Sequence, residues 1–150
     1  MKRARVTTTI AIVLLSALAS AQSTPNFAGK WTLVPAPGAT GAGGLGQEAT
    51  IAQDATSITI KRTTQMGEFT TIYKLDGSEN PVPGPLGWDT RASATRQDGR
   101  LVVTIKRSID GPDGKLHFEI RDAYTVAGDV LTLERSQGSR TQKMVYKRTS

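Results

Sequence analysis

The sequence contains no cysteine and a single histidine, and both scarcities limit the chemistry that it can carry. Without cysteine the chain forms no disulfides, thiolate metal sites or thiol nucleophiles. The one histidine, His117, is out of phase with Leu116 and Phe118 in an extended segment, so it faces water if they face a core. No Gly-x-Ser-x-Gly motif and no His-rich metal spacing is present. We therefore predict no catalytic residue, no metal site and no cofactor.

Aromatic residues are also few, at 5% of the chain, and the excess of positive charge is modest. The formal net charge is +6, but Lys2, Arg3 and Arg5 contribute three of the 19 basic residues. Without them 16 basic residues face 13 acidic ones, a net charge of +3. Nucleic-acid binding requires a basic stripe with interleaved aromatics. We predict no nucleic-acid partner.

Residues 1–21 have the pattern of a secretory signal peptide. The basic residues near the N-terminus precede an apolar run from Ile10 to Ala19, and Ala19-Ser20-Ala21 follows. The run is too short to span a bilayer well, and small residues at its end fit signal-peptidase cleavage after Ala21. No later segment is long and apolar enough to cross a membrane. We predict an exported protein, periplasmic or extracellular, with one domain at residues 22–150.

After this segment the apolar residues alternate with polar ones, and no helical pattern is present. Segment 35–47 is rich in Gly, Pro, Ala and Thr and is predicted to be a surface loop, while 76–88 contains three prolines and is predicted to be a stiff irregular loop. Short connections make neighbouring strands antiparallel. We predict an all-β, up-and-down barrel of about eight or nine strands, closed by pairing the last strand with the first. The predicted strands are 26–34, 48–53, 57–64, 68–75, 90–96, 101–109, 115–126, 130–135 and 141–148.

The first strand places Phe27, Gly29 and Trp31 on one face. Trp31 buries a large area but needs a partner for its indole N–H, so we assign these three residues to closure of one barrel end, under Arg135 or Arg148. The Phe-x-Gly-x-Trp order resembles the opening of the calycin superfamily, which includes the lipocalins and fatty-acid-binding proteins. That resemblance implies a lipocalin-like, ligand-holding barrel whose loop 35–47 is a lid. The chain also resembles a group of small exported bacterial proteins of unknown role, which supports this fold and says nothing about activity. The residues that carry the second resemblance are Asn26-Phe27-x-Gly29-x-Trp31-x-Leu33, Tyr73-x-Leu75-Asp76-Gly77-Ser78-Glu79-Asn80-Pro81, Leu131-Thr132-Leu133-Glu134-Arg135 and Val145-Tyr146-Lys147-Arg148.

Four arginines, Arg62, Arg107, Arg135 and Arg148, follow apolar residues in phase on their strands. Two interpretations remain open. In the first, each arginine extends to the rim or stacks on Trp31. In the second, one or two point into a cavity and hold a carboxylate in bidentate fashion. If the strands alternate in direction, Arg62 and Arg148 share one end while Arg107 and Arg135 share the other.

Ala92 and Ala94 are consecutive inward positions on one strand, which leaves room for a ligand unless Trp88, Phe118 and Tyr124 fill the space. Asp122 is in phase with inward residues. It is either paired with one of the arginines or marks a β-bulge.

We predict a binding protein for a small apolar or amphipathic ligand, with a carboxylate-bearing lipid as one possibility. The alternative is a filled barrel that acts as a non-catalytic interaction or envelope-associated module. Fatty-acid-binding proteins hold a carboxylate with an Arg-x-Tyr order in the last strand, and Tyr146-x-Arg148 reverses that order. The candidate ligand-binding residues are Arg62, Tyr73, Ala92, Ala94, Tyr146 and Arg148.

Overall fold

The computed structural model describes residues 24–37, 44–64 and 67–149, which form an antiparallel β-structure. The predicted signal peptide at residues 1–21 and its cleavage after Ala21 lie outside the described residues. Among the described residues, no helix has the length and hydropathy needed to cross a membrane.

Ten strands are present in the described part of the chain, nine of them close to the predicted segments. Alternation of β-branched and apolar residues with polar ones produces the burial pattern of half-buried strands, as in β3, where Ile58 and Ile60 are buried. The strands are β1 (Gly29–Leu33), β2 (Glu48–Gln53), β3 (Ser57–Thr64), β4 (Gly67–Lys74), β5 (Asn80–Pro81), β6 (Asp89–Gln97), β7 (Arg100–Gly111), β8 (Gly114–Ala127), β9 (Val130–Gln137) and β10 (Arg140–Thr149).

The strands form one sheet in the order β4-β3-β2-β1-β10-β9-β8-β7-β6-β5, with every neighbour antiparallel. As predicted, the last strand pairs with the first, with Trp31 opposite Arg148. The edge strand β4 approaches β6, and Gly77 N–H beyond β4 donates to Ala94 O on β6 at 3.1 Å. The sheet is therefore a nearly closed barrel.

The predicted number of strands is wrong by one. The additional strand is β5, two residues long, within the segment predicted to be irregular. Its prolines exclude a long ladder, but Asn80 pairs with Ala92 and Val82 N–H donates to Thr90 O at 3.0 Å. This short strand adds one reversal of chain direction, which changes the end at which every later residue lies.

The interior of the barrel holds one hydrophobic core that receives residues from every long strand. The prediction of a surface loop at 35–47 is wrong at its C-terminal part, because Gly44 and Leu45 are buried in this core. Residues 38–43 of that loop lie outside the described residues. The fully buried large side chains include Trp31, Tyr146, Phe27, Leu45, Ile58, Leu101, Leu131 and Leu133.

Candidate functional site

One end of the barrel is closed by Trp31, as the first strand predicts. Trp31 is fully buried and its indole N–H donates to Phe27 O at 2.9 Å. The Arg148 guanidinium lies over the indole ring, 4.4 Å from its centroid, and contacts Asp129 Oδ1 through Nε at 3.4 Å. The same guanidinium donates to the carbonyl oxygens of Ala28 and Asn26. Of the two arginines proposed to cover Trp31, it is therefore Arg148 that does so.

Gly29 makes room for this arrangement. Its φ of +136° lies in a region that L side chains rarely adopt, and a Cβ here would lie 2.8 Å from Arg148 Nη1. The glycine of the Gly-x-Trp pattern thus allows the guanidinium to reach both the backbone and the indole. Arg148 is committed to the closed end and does not line the cavity described next.

The other three arginines, Arg62, Arg107 and Arg135, line a single cavity inside the barrel. The expectation that Arg62 and Arg148 share an end is wrong, because β5 adds a reversal between them. β3, β7 and β9 consequently run in the same direction, and each carries its arginine toward the same end. The assignment of Arg135 to closure of the Trp31 end is wrong for the same reason.

Asp122 and Arg135 form a buried ion pair on this cavity. Arg135 Nε donates to Asp122 Oδ1 and Nη2 donates to Oδ2, both at 2.7 Å. The side chains are 1% and 16% exposed for Asp122 and Arg135 respectively. Tyr124 O–H donates to Asp122 Oδ2 at 3.4 Å. Asp122 lies opposite Val103 and Arg135 in uninterrupted ladders, so the pair is correct and the bulge alternative is not.

Arg62 holds the buried end of loop 35–47. Its Nη1 donates to Gly44 O at 3.0 Å, and Leu45 N–H donates to Tyr146 Oη at 3.3 Å. Gly44 has φ of +58°, and a Cβ there would lie 2.8 Å from Leu133 Cδ2, so only glycine fits without displacing the core. Leu45, 1% exposed, is thereby fixed inside the barrel beside the arginines.

Arg107 has no counterion of its own. Among the described residues it makes no ion pair and no hydrogen bond, and its Nε is buried without a partner. Arg62 Nε and Thr90 Oγ1 on the same cavity are also buried without partners. Burial, followed by the charges of Arg135 and Arg62, lowers the pKa of Arg107 from its usual value. The cavity is thus rich in donors and in positive charge.

The tyrosines on this cavity stay neutral. Burial raises the pKa of Tyr73 and raises that of Tyr124 well above its usual value, with a further contribution from Asp122 in both cases. For Arg135, burial acts to lower the pKa, but the hydrogen bonds and charge of Asp122 raise it. The protein's own negative charge on the cavity wall is therefore the Asp122 carboxylate, which Arg135 already binds.

The cavity itself has a free volume of about 20 Å³, room for about one water molecule. Two of the candidate ligand-binding residues, Arg62 and Tyr73, line it. Ala92 and Ala94 lie in the packed core instead, and Tyr146 is buried beneath Leu45. The cavity is lined by Gly44, Leu45, Ile60, Arg62, Thr71, Tyr73, Val82, Pro83, Thr90, Ile105, Arg107, Asp122, Tyr124 and Arg135.

The space beside the two alanines is filled partly as anticipated. Tyr124 is inside the barrel, whereas Trp88 and Phe118 contact each other with ring centroids 5.2 Å apart at partly exposed positions. His117 is exposed, but Leu116 and Phe118 are exposed as well, at 53% and 40%, so the expectation that these two face the core is wrong. No group of three or more potential metal ligands occurs among the described residues.

Sequence comparisons assign no family: no family model matches the chain, and no curated protein is significantly similar to it. Solved structures do resemble it. A secretory abundant heat soluble protein from Ramazzottius varieornatus has a TM-score of 0.61 and 18% identity, over 82% of this chain and 95% of that one. Apo lipid binding protein 8 from Caenorhabditis elegans has a TM-score of 0.61 and 12% identity, over 82% and 95% of the two chains. The REP1-NXSQ fatty acid transporter has a TM-score of 0.60 and 15% identity, over 82% and 96%.

The fold is that of a lipocalin-like, calycin-type barrel. This confirms the fold that the resemblance carried by Phe27, Gly29 and Trp31 implies. The identities of 12% to 18% show the fold alone.

Proposed function

We propose that this protein is an exported binding protein for a small amphipathic ligand whose anionic head, such as a carboxylate, lies between Arg62 and Arg107. The observation that supports this most directly is the unpaired Arg107 guanidinium, with its buried Nε, on an interior cavity. Arg107 is half-buried, and its Nε is fully buried without a partner, which is costly; a charged hydrogen bond from a bound anion would offset that cost. Neighbours of similar fold include proteins named for lipid binding and for fatty-acid transport.

The apolar part of such a ligand requires space that the free volume of about 20 Å³ does not supply. Leu45 is the side chain best placed to give way, since it enters the barrel from a loop and not from a strand. The backbone of this segment is held by two hydrogen bonds, from Arg62 and to Tyr146. An anionic head at Arg62 would compete directly with Gly44 O for the guanidinium. Head binding and displacement of Leu45 are therefore coupled in this proposal.

A second candidate function is favoured by the small free volume: a filled barrel that serves as a non-catalytic interaction or envelope-associated module. One binding experiment separates the two candidate functions. Displacement of a fluorescent fatty acid by decanoate, measured on the purified protein, is expected to give micromolar affinity that falls at least tenfold in Arg107→Gln. Arg140→Gln, at the exposed first residue of β10, removes the same charge and should leave affinity unchanged. If no anionic amphiphile and no neutral lipid binds, the module replaces the binding protein.

A further inference from the structure

The charges on the cavity wall do not balance. Arg62, Arg107 and Arg135 contribute three positive charges, and Asp122 contributes the one carboxylate of the lining residues. Asp122 uses both carboxylate oxygens to bind Arg135 at 2.7 Å. Two guanidiniums therefore remain without a counter-charge on a cavity of about 20 Å³.

The donors on this wall are also in excess. Arg62 Nε, Arg107 Nε and Thr90 Oγ1 are buried and have no partner in the described part of the chain. Arg62 uses Nη1 on Gly44 O, and its guanidinium lies 5.9 Å from the centroid of the Phe69 ring, which accepts no strong hydrogen bond. Several acceptor oxygens concentrated in one small group would satisfy this wall.

A single carboxylate brings one negative charge and two oxygens, which leaves one guanidinium uncompensated. A molecule with two separate carboxylates needs room for both groups. A phosphate group brings nearly two charges and three acceptor oxygens on one atom, and guanidiniums bind it in bidentate fashion. Charge and donor number thus agree on one chemical class. A phosphate is larger than the one water molecule for which the cavity of about 20 Å³ has room, so its binding includes the displacement of Leu45 proposed above.

We infer that the head group bound between Arg62 and Arg107 is a phosphate dianion, supplied either by a monoalkyl phosphate or by free phosphate. This inference rests on the proposed function and narrows its ligand class. The Asp122 carboxylate, which is bound to Arg135, repels other anions from the Arg135 side of the cavity. The dianion therefore lies toward Arg107. The charged and titratable groups that surround it are Arg62, Arg107, Arg135, Asp122, Tyr73 and Tyr124.

The test is a calorimetric comparison of decyl phosphate, decanoate and inorganic phosphate on the purified protein at pH 5.5 and pH 7.5. The second ionisation of a phosphate monoester has a pKa of about 6, so the higher pH adds a charge to decyl phosphate but not to decanoate. At pH 7.5 decyl phosphate should bind about tenfold more tightly than decanoate. That preference should shrink at pH 5.5. Decanoate corrects for any titration of the protein's own groups.

Two variants connect the preference to the unpaired charge. Arg107→Gln and, independently, Arg62→Gln should remove the preference for phosphate over carboxylate, whereas Arg140→Gln should keep it. Circular dichroism confirms that each variant is folded before its binding is measured, and two variants keep the test available if one fails to fold.

The outcomes separate the inference from the function on which it rests. Equal binding of decanoate and decyl phosphate at both pH values overturns the dianion and leaves the binding protein in place. Binding of inorganic phosphate with no gain from the decyl chain supports the dianion and overturns the amphipathic ligand. Absence of binding by all three probes overturns both.

Discussion

The buried pair of Asp122 and Arg135 gives the sharpest test of the charge balance inside the barrel. We consider Asp122→Asn, which removes a charge and keeps the shape of the side chain, and Arg135→Gln, which removes a charge and shortens the side chain. Both 2.7 Å hydrogen bonds of the pair run between side chains that are 1% and 16% exposed. Loss of one partner from such a pair costs about 3 to 5 kcal/mol, because the other charge stays buried and unpaired.

The two substitutions should not be equal in cost. Without Asp122, three guanidiniums share the cavity wall with no carboxylate among the lining residues. Without Arg135, the Asp122 carboxylate still faces the positive charge of Arg62 and Arg107, so it stays partly compensated. We therefore expect Asp122→Asn to lower the free energy of unfolding by an amount near the upper end of the range of about 3 to 5 kcal/mol. Arg135→Gln should lower it by an amount at or below the lower end of that range. The double variant should cost less than the sum of the two.

Urea unfolding followed by tryptophan fluorescence measures each free energy of unfolding, with and without added phosphate. Added anion should restore part of the stability that Asp122→Asn loses, because it binds the folded state alone. Equal costs, or a larger cost for Arg135→Gln, would refute the positive excess from which the phosphate inference is built. Additive costs in the double variant would refute the pair itself.

Three further predictions concern other parts of the chain. Trp31→Ala should lower the free energy of unfolding, measured in urea, by about 3 to 5 kcal/mol, because it empties the closed end of the barrel. Arg148→Gln keeps the indole and should lower it by less. If the urea midpoint of Trp31→Ala does not move, Trp31 does not seal this end. Hydrogen bonds from the Ser57 and Thr56 side chains and backbone N–H groups lower the pKa of Asp54 to about 2 from 3.8, so its contribution to stability is present above pH 4 and is lost as the pH falls toward 2, which a carboxyl NMR titration measures. The secreted product should begin at Gln22, which its intact mass will show. Retention of residues 1–21 would contradict export by signal cleavage.

The strands and the closure of the barrel are predictable from the sequence because both depend on local patterns. Alternation of apolar and polar residues identifies strands, and short Gly-containing turns make them antiparallel. Phe27, Gly29 and Trp31 act within one strand, so their shared face follows from the period of two. The basic partner over Trp31 is predictable as well, because the last strand has to pair with the first.

The composition of the cavity is mispredicted for one identifiable reason. Nine alternating strands cannot close with every neighbour antiparallel, since the ninth would run parallel to the first. A ring that closes β10 antiparallel on β1 therefore requires an even number of strands and implies a missing reversal between them. Asn80–Pro81 supplies that reversal, but two residues with a proline carry no periodic signal. An even strand count, with the added reversal between the strands of Arg62 and Arg107, is enough to place Arg62, Arg107 and Arg135 at one end of the barrel.

The pairing of Asp122 with Arg135 is also predictable from the sequence. The turn Gly128-Asp129 places Ala127 opposite Val130, and five residues back along each strand Asp122 lies opposite Arg135. The burial of Leu45 is not predictable from the sequence. Leu45 sits between two glycines in a segment without periodicity, and its burial depends on distant hydrogen bonds to Arg62 and Tyr146 that no local pattern encodes.

Leu45 also decides whether this barrel can admit an alkyl chain. If Leu45 occupies the place of that chain, Leu45→Ala should have two opposite effects. It should lower the free energy of unfolding by about 2 to 5 kcal/mol through the cavity it leaves, and it should raise the affinity for decyl phosphate, because the chain no longer has to displace a leucine. Leu101→Ala is the matched control, since Leu101 is equally buried and does not line the cavity. It should lower stability by a similar amount without tightening binding. Calorimetry and urea unfolding on both variants measure the two quantities separately, and if Leu45→Ala loses stability with no gain in affinity over Leu101→Ala, the ligand's chain does not enter where Leu45 lies.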